Sequence, residues 1–497
     1  MPFKKVNIVS IFIILFCFVA CKNNVESKTK AEETNETKSS LINSKPNIVV
    51  LLCDDLGYGD LSSFGHSIIK TPNLDKLAET GIKLTNFYST APVCSPSRAG
   101  LLTGRSPNKA GIYDFIPGLK KSPDNRDLVH LQAHEKTIPA MLKSAGYATC
   151  LVGKWHCSSR FNSNEQPQPD DFGFDHWMAT HNNAAPSHKN PKNFIRNREK
   201  VGEIEGFSSQ IIVSEAIDWL NAKKDDKPFF LEVTFHEPHE PIASPEDLVE
   251  KYLPQAKTRE EAEYFANVEN VDIAVGRLVK YFKENNMDNT LIVFSSDNGP
   301  ETLMRYSRAK HSYGSPGALR GMKLWTNEAG FRVPGIINWL GKETFTGTTN
   351  NVVSALDYFP TFAALAGAET PSNLDGESFT PLLQTGEFNR EKPLIWAFYD
   401  AINERRVAMR KGKYKIMARI EANGETLGKI HNLYDGNEAL VKNAELVDFV
   451  MFNLEQDINE SEDLKDKEPE VFNSMKLAFQ KEYKKLLDES HIWVRAE

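Results

Sequence analysis

Asn47-Ile48-Val49-Val50-Leu51-Leu52-Cys53-Asp54-Asp55 is the stretch on which the fold turns. An unbroken apolar run with no polar alternation predicts a strand buried on both faces, as in a parallel sheet covered by helices. The run ends on two adjacent aspartates, and open α/β sheets place their sites at the carboxyl ends of strands. The same alternation continues outward. Pro72 to Thr80 reads as a helix and Ile82 to Tyr88 as a strand. Lys136 to Ala145 is helical, and Tyr147 to Val152 is a strand that ends in Gly153-Lys154-Trp155-His156. After the helix Ile211 to Ala222, the strand Phe229 to Phe235 leads into His236-Glu237-Pro238-His239. The long helix Glu260 to Asn285 precedes the strand Leu291 to Ser295 and then Asp297-Asn298. This order predicts an α/β fold with a large, mostly parallel sheet sandwiched by helices over residues 46–375. Beyond about 375, Pro393 to Phe398 and Arg406 to Ile416, with a turn at Gly412, read as antiparallel strands. Pro469 to Glu489 reads as a terminal helix with proline at its first position. Residues 376–497 are therefore expected to form a smaller α+β subdomain with a short antiparallel sheet.

The chain has 497 residues, 59 basic and 67 acidic, for a formal net charge of -8. No basic excess suits a nucleic-acid partner, so any anion must be bound by a local site. Met1 to Lys5 is basic and Val6 to Ala20 is mostly apolar, which is too short for a spanning helix and reads as a secretory signal. Phe18-Val19-Ala20-Cys21 resembles the lipobox of bacterial lipoproteins. That resemblance implies a signal peptide over 1–20, lipid on Cys21, and a cell-envelope protein anchored to a bacterial membrane. Residues 21–45 are polar and charged and are expected to form a disordered tether. With Cys17 in the signal, Cys21 lipidated and Cys94 set apart below, Cys53, Cys150 and Cys157 remain. Three is an odd number, so unpaired thiols are expected, with a Cys150–Cys157 bridge left open.

Cys94-Ser95-Pro96-Ser97-Arg98-Ala99-Gly100-Leu101-Leu102-Thr103-Gly104-Arg105 reads as a reactive centre on the start of a helix. Ser95 suits an N-cap, Pro96 the first helical position and Gly104 the stop. Cys94 would then precede a helix N-terminus, where free N–H groups and the dipole favour an anion, and Arg98 adds a fixed charge one turn in. Asp54-Asp55 and Asp297-Asn298 offer oxygen ligands to a hard cation, and no His/Cys cluster of zinc spacing accompanies them. Calcium fits this donor set best, with magnesium as the alternative.

The twelve-residue stretch resembles the signature of type I sulfatases, Cys-x-Pro-x-Arg with a Thr-Gly-Arg ending. Other segments match the same family: Asp54 to Asp60, Gly153-Lys154-Trp155-His156, Pro238-His239-Glu240-Pro241, Ser296 to Gly299, and Arg320 to Lys323 before Asn327 to Pro334. Phe452-Asn453-Leu454 resembles the family's late segment, so the likeness covers nearly all of the chain after Pro46. It implies an alkaline-phosphatase-like sulfatase fold. It also implies that Cys94 is converted to formylglycine by a formylglycine-generating or sulfatase-maturing enzyme, and that Asp54, Asp55, Asp297 and Asn298 bind one calcium ion together with residue 94. By the same likeness Arg98, Lys154 and Lys323 hold the sulfuryl oxygens, His239 protonates the departing alcohol, and His156 drives sulfate release. Thr180 and His181 fall where the family contacts substrate; the competing reading is packing in a loop. Leu324 and Ala329 stand where the family often has glycine. A sulfated polysaccharide such as ulvan or carrageenan, a glycosaminoglycan, or fragments of either is the implied substrate. Two rivals stay open from the sequence: a phosphatase or phosphodiesterase of the same superfamily, and a non-catalytic surface glycan-binding protein.

Overall fold

The computed structural model describes residues 45–118, 122–305 and 309–495. The expected signal peptide, the lipidation residue Cys21 and the tether up to residue 44 lie outside the described residues. Among these, no helix is long and apolar enough to cross a membrane.

Eleven strands form the large sheet. From one edge to the other run Gly347–Thr349, Ile82–Tyr88, Arg332–Leu340, Thr290–Ser296, Asn47–Cys53, Phe229–Thr234, Ala148–Lys154, His176–Thr180, Phe194–Arg196 and Glu199–Gly202, with Val353–Ser354 beside Ile82–Tyr88. Asn47–Cys53 lies at the centre, parallel to both neighbours. Its alternate residues enter opposite cores. Ile48, Val50 and Leu52 pack with the Cys94–Thr103, Ile138–Ser144 and Tyr358–Ala366 helices, whereas Val49, Leu51 and Cys53 pack under Ser208–Ala222 and Arg259–Glu284. Burial on both faces explains why no polar residue interrupts the run, and each such side chain contributes about 1.5–3 kcal/mol.

Strand register does the positioning. Cys53 pairs with Ser296, which sets Asp54 beside Asp297. Leu52 pairs with Thr234, and Thr234 with Gly153, so the segments carrying His239 and Lys154 leave the sheet at the same edge.

Arg332–Leu340 runs antiparallel to both its neighbours and was not an expected strand, because Pro334 and Gly335 argue against one. Pro334 falls at a register irregularity opposite Leu84 to Phe87, and a Cβ on Gly335 would lie 2.6 Å from that of Phe87.

The second sheet has five strands and begins at Leu394. Phe379, Leu382 and Leu383 still pack in the core of the large sheet. Val407–Lys411 and Tyr414–Ala422 form the hairpin around Gly412, and Glu445–Asn453, another strand not expected, pairs along Tyr414–Ala422. The Pro469–Glu489 helix covers this sheet through Met475, Phe479, Tyr483 and Leu486.

The two sheets are joined by buried charge. Lys415 has a fully buried side chain, and its Nζ lies 3.0 Å from Glu328 and 2.8 Å from Glu460. Glu460 also accepts from the Glu328 backbone N–H at 2.8 Å and from Asn327 at 3.1 Å. Glu328 accepts from the Tyr88 hydroxyl at 2.6 Å.

Candidate active site

The Cys94–Thr103 helix starts two residues earlier than its sequence suggests. Val93 occupies the N-cap position, without a side-chain cap, and Cys94 is the first helical residue. Ser95 does not cap, because its hydroxyl accepts the backbone N–H of Ile116 at 2.9 Å. Gly104 closes the helix at φ 64, as its lack of a Cβ permits.

Around Cys94 the strand ends converge. Ligand atoms of Asp54, Asp55, Cys94 and His239 all lie within 4.8 Å of one another. Lys154 Nζ is 2.5 Å from Asp54 Oδ2, with both side chains fully buried. Arg98 donates to Asp297 Oδ2 through Nε at 2.9 Å and Nη2 at 2.7 Å, and through Nη1 to the Lys154 carbonyl at 3.1 Å. Lys323 Nζ sits 2.7 Å from Asp55 Oδ1. Asn298 donates to Asp55 Oδ1 at 2.7 Å. Three carboxylates thus face three fixed cations.

The balance leaves acceptors open. Asp54 Oδ1 and Asn298 Oδ1 are buried without a hydrogen-bond partner. Burial raises the Asp54 carboxyl, but Lys154, His239, Arg98 and Lys323 outweigh it and hold the group well below its ordinary range. Burial and the Asp54 charge push Asp297 up to about 7 against the pull of Arg98. Unpartnered, crowded oxygens of this kind suit a hard cation, and a divalent ion would tip the pocket positive and prepare it for an anion. The expected calcium ligands therefore fit the group. The Cys94 thiol itself is a poor nucleophile here, since burial and Asp54 push it up to about 12.

Two histidines have assigned tautomers. His156 Nε2 donates to the Ile116 carbonyl at 3.0 Å, so Nδ1 is the lone-pair nitrogen, and it is buried without a partner. Burial, reinforced by Lys154, holds His156 well below its ordinary pKa and therefore neutral. His239 Nδ1 donates to the Glu240 carbonyl at 2.6 Å, leaving Nε2 to face Asp55 Oδ2 at 3.6 Å. Three pocket residues other than glycine, Asp55 (φ 65), His156 (φ 54) and Leu324 (φ 65), adopt the left-handed region. Each such turn costs about 1–2 kcal/mol. Leu324 keeps its side chain against Val93, Cys94, Phe398 and Ala401.

The remaining expectations separate. His181 stands beside His156, ring centroids 5.5 Å apart, and its buried Nε2 has no partner. Thr180 is the last residue of a strand, not of a loop, and is fully buried. Its hydroxyl donates to the Asn182 carbonyl and pairs with His236 Nε2, both at 2.7 Å. His236 also bonds Ser208 and is enclosed, and Trp155 packs on Phe172. Cys53, Cys94, Cys150 and Cys157 are all free and buried. Sequence reasoning missed Ile116, whose carbonyl orients His156, because a backbone acceptor leaves no residue-type signal.

The sulfatase family model matches residues 46–368. The chain belongs to the sulfatase family. A second model, for the C-terminal part of N-sulphoglucosamine sulphohydrolase, matches residues 322–438 of this sulfatase. Human arylsulfatase A is 34% identical over 394 residues, covering 74% of each chain. Human N-acetylgalactosamine-6-sulfatase is 32% identical over 71% of this chain and 68% of its own. Among solved structures, Ps i-CgsB superposes with a TM-score of 0.73 at 28% identity, covering 90% of this chain and 94% of the other. These relatives make the chain a sulfuric ester hydrolase and disfavour the phosphatase and non-catalytic readings. They also accord with the alkaline-phosphatase-like architecture, a mixed but mostly parallel sheet with a smaller antiparallel one.

Proposed function

We propose that this sulfatase hydrolyses sulfate esters of a sulfated polysaccharide or its oligosaccharide fragments, using a formylglycine made from Cys94 and one calcium ion. The convergence of Asp54, Asp55, Asp297, Lys154, Lys323, Arg98 and the oriented His239 imidazole on residue 94 carries the reading. A complex of Ps i-CgsB with k-i-k-neocarrahexaose supports a glycan as substrate.

Asp54, Asp55, Asp297 and Asn298 would hold the ion. Formylglycine would supply a nucleophilic hydroxyl, and calcium would supply Lewis acidity toward the sulfuryl oxygens. Lys154 and Lys323 place ammonium groups where three sulfuryl oxygens gather charge, and Arg98 fixes Asp297 and the Lys154 backbone. His239, with Nδ1–H tied to a carbonyl, presents Nε2, which donates to the leaving alcohol only from the imidazolium form; burial and Lys323 disfavour that form, and the Asp55 and Asp54 charges favour it. His156, neutral and with Nδ1 unpartnered, would accept a proton at that nitrogen when sulfate leaves. The lipobox-like Cys21 extends the proposal to a lipid-anchored bacterial envelope protein facing substrate outside the cytoplasm, and a maturation enzyme is an obligatory partner.

The test is direct. The protein is matured, the mass of the Cys94 peptide is measured, and released sulfate is followed on defined carrageenan, ulvan and glycosaminoglycan oligosaccharides. An aldehyde at residue 94 and sulfate release from one of these are expected. Cleavage of nitrophenyl phosphate in preference to every sulfate ester would overturn the reading.

A further inference from the structure

His311 stands on the segment between Asn298 and Lys323 and reaches two carboxylates at once. Its Nδ1 lies 3.1 Å from Glu240 Oε1 and 3.2 Å from Oε2, and its Nε2 lies 2.7 Å from Glu263 Oε2. Both nitrogens face acceptors, so both carry hydrogen and the ring is an imidazolium. Burial opposes that charge, but the two carboxylates, Glu240 first, outweigh it and raise His311 above its ordinary pKa. The Glu240 side chain is held at both oxygens. Oε1 also accepts the His311 backbone N–H at 2.6 Å, and Oε2 accepts the Ile242 N–H at 3.1 Å. Glu263 belongs to the long Arg259–Glu284 helix, and its carbonyl accepts the Ser244 hydroxyl at 2.7 Å. His311 thus ties the turn that carries His239 to a fixed element of the fold.

The residue so anchored is the one that orients the acid. Glu240 gives its carbonyl to the His239 Nδ1–H at 2.6 Å, and the direction of that carbonyl sets where the ring aims Nε2. His311, Glu240, His239 and Asp55 line one cavity of about 10 Å³, room for a single water, so the clamp borders the reactive pocket. A buried carboxylate that loses its cation is costly and draws its own backbone toward water. A rigid ring with a donor at each end suits the task, because it spans two carboxylates in one geometry. We propose that His311 is a positioning residue for His239: clamped between Glu240 and Glu263, it fixes the Glu240 carbonyl and thereby the line along which Nε2 meets the departing oxygen. The proposal rests on the role that the sulfatase reading gives His239, and it needs no contact between His311 and substrate.

The test sets His311→Gln, which keeps one donor and removes the charge, against the wild type, with thermal melting to show that both are folded. Both kcat and KM are measured on the best-cleaved sulfated oligosaccharide and on nitrophenyl sulfate, whose phenolate leaves with little help from an acid. A fall of about tenfold in kcat on the oligosaccharide, with KM within about twofold and a smaller fall on the nitrophenyl ester, is expected. Unchanged kcat, a loss confined to KM, or equal losses on both substrates overturns the role. Should His311→Gln fail to fold, His311→Lys, which keeps the cation and loses the rigid ring, carries the same comparison. If the wild type cleaves the oligosaccharide but not the nitrophenyl ester, Glu240→Gln is added, alone and combined with His311→Gln. A double variant no worse than the poorer single one supports a shared route through Glu240, and losses that multiply overturn it. If the wild type cleaves no sulfate ester, the proposed function falls, and nitrogen NMR of histidine-labelled protein reads the positioning by itself, with His239→Asn to assign the signal. In mildly alkaline buffer, where a histidine ring is neutral, the two ring nitrogens of His239 should resonate far apart in the wild type and draw together in His311→Gln as the ring samples both tautomers. A spread as wide in the variant as in the wild type overturns the positioning.

Discussion

The buried charge networks around Cys94 and around Lys415 are built from the same kinds of group, and only the first has the character of a reaction centre. Both bury carboxylates against ammonium and guanidinium groups at hydrogen-bond distance. Around Lys415 each carboxylate group meets a cation, an amide or a hydroxyl; the one oxygen without a hydrogen bond, Glu460 Oε1, still lies 2.8 Å from the ammonium, and Phe331 lies under that ammonium at 4.6 Å. Around Cys94 several atoms stay unmatched: Asp54 Oδ1, Asn298 Oδ1 and His156 Nδ1. Buried charge therefore does not by itself mark a site. Unfilled valences beside it do, because a fold that leaves them open forgoes stability unless something else completes them.

The sharpest way to break this contrast is Cys94→Ala. Sulfate release should fall by at least about 10⁴-fold with the melting temperature nearly unchanged, and retained turnover in that variant would refute the scheme. Next comes Lys323→Met, which removes one cation from Asp55 and from the anion it serves. A loss of about 10²–10³ in kcat/KM is expected, again read as sulfate release. Lys415→Met should behave oppositely. It strands Glu328 and Glu460 and should cost about 3–5 kcal/mol of stability in a denaturant titration, with less effect on turnover per folded molecule. If it silenced the enzyme and left stability intact, the two networks would not differ as argued. Adding calcium to the metal-free protein should raise its melting temperature, by about 2.7 kcal/mol of stabilisation at a hundredfold excess over Kd. Asp54→Asn should blunt that rise.

The smallest effect tests a third group, at the seam between the sheets. His431 Nδ1 lies 2.9 Å from Asp114 and 3.4 Å from Asp400. Their hydrogen bonds, Asp114 first, raise His431 to about 9. The folded state thus binds this proton more tightly than the unfolded chain does. Its stabilisation is complete below the ordinary histidine value near 6.5 and fades as pH rises through 9. Melting between pH 7 and 10 should show this fade, and His431→Gln should remove it.

Much of this was legible in the sequence because strand ends are loud. Asn47 to Cys53 announces its burial on both faces, and parallel register then brings Asp54, Lys154, His239 and Asp297 to one edge. Partners far along the chain were silent. Ser95 has the residue type of a cap but gives its acceptor to Ile116, and Thr180 looks free yet is spent on His236. Lys415 reads as one more basic residue of a hairpin, since nothing local tells that Glu328 and Glu460 will enclose it. The Arg332–Leu340 strand was hidden by a proline that the large sheet tolerates at a bulge.

Asp55, His156 and Leu324 hold their backbones at positive φ although none is glycine. Corners bent in this sense relax as soon as the packing around them loosens. Warming should thus silence the enzyme some degrees before the sheet melts. Glycine at any of the three would ease the chain while blurring the aim of the groups it carries.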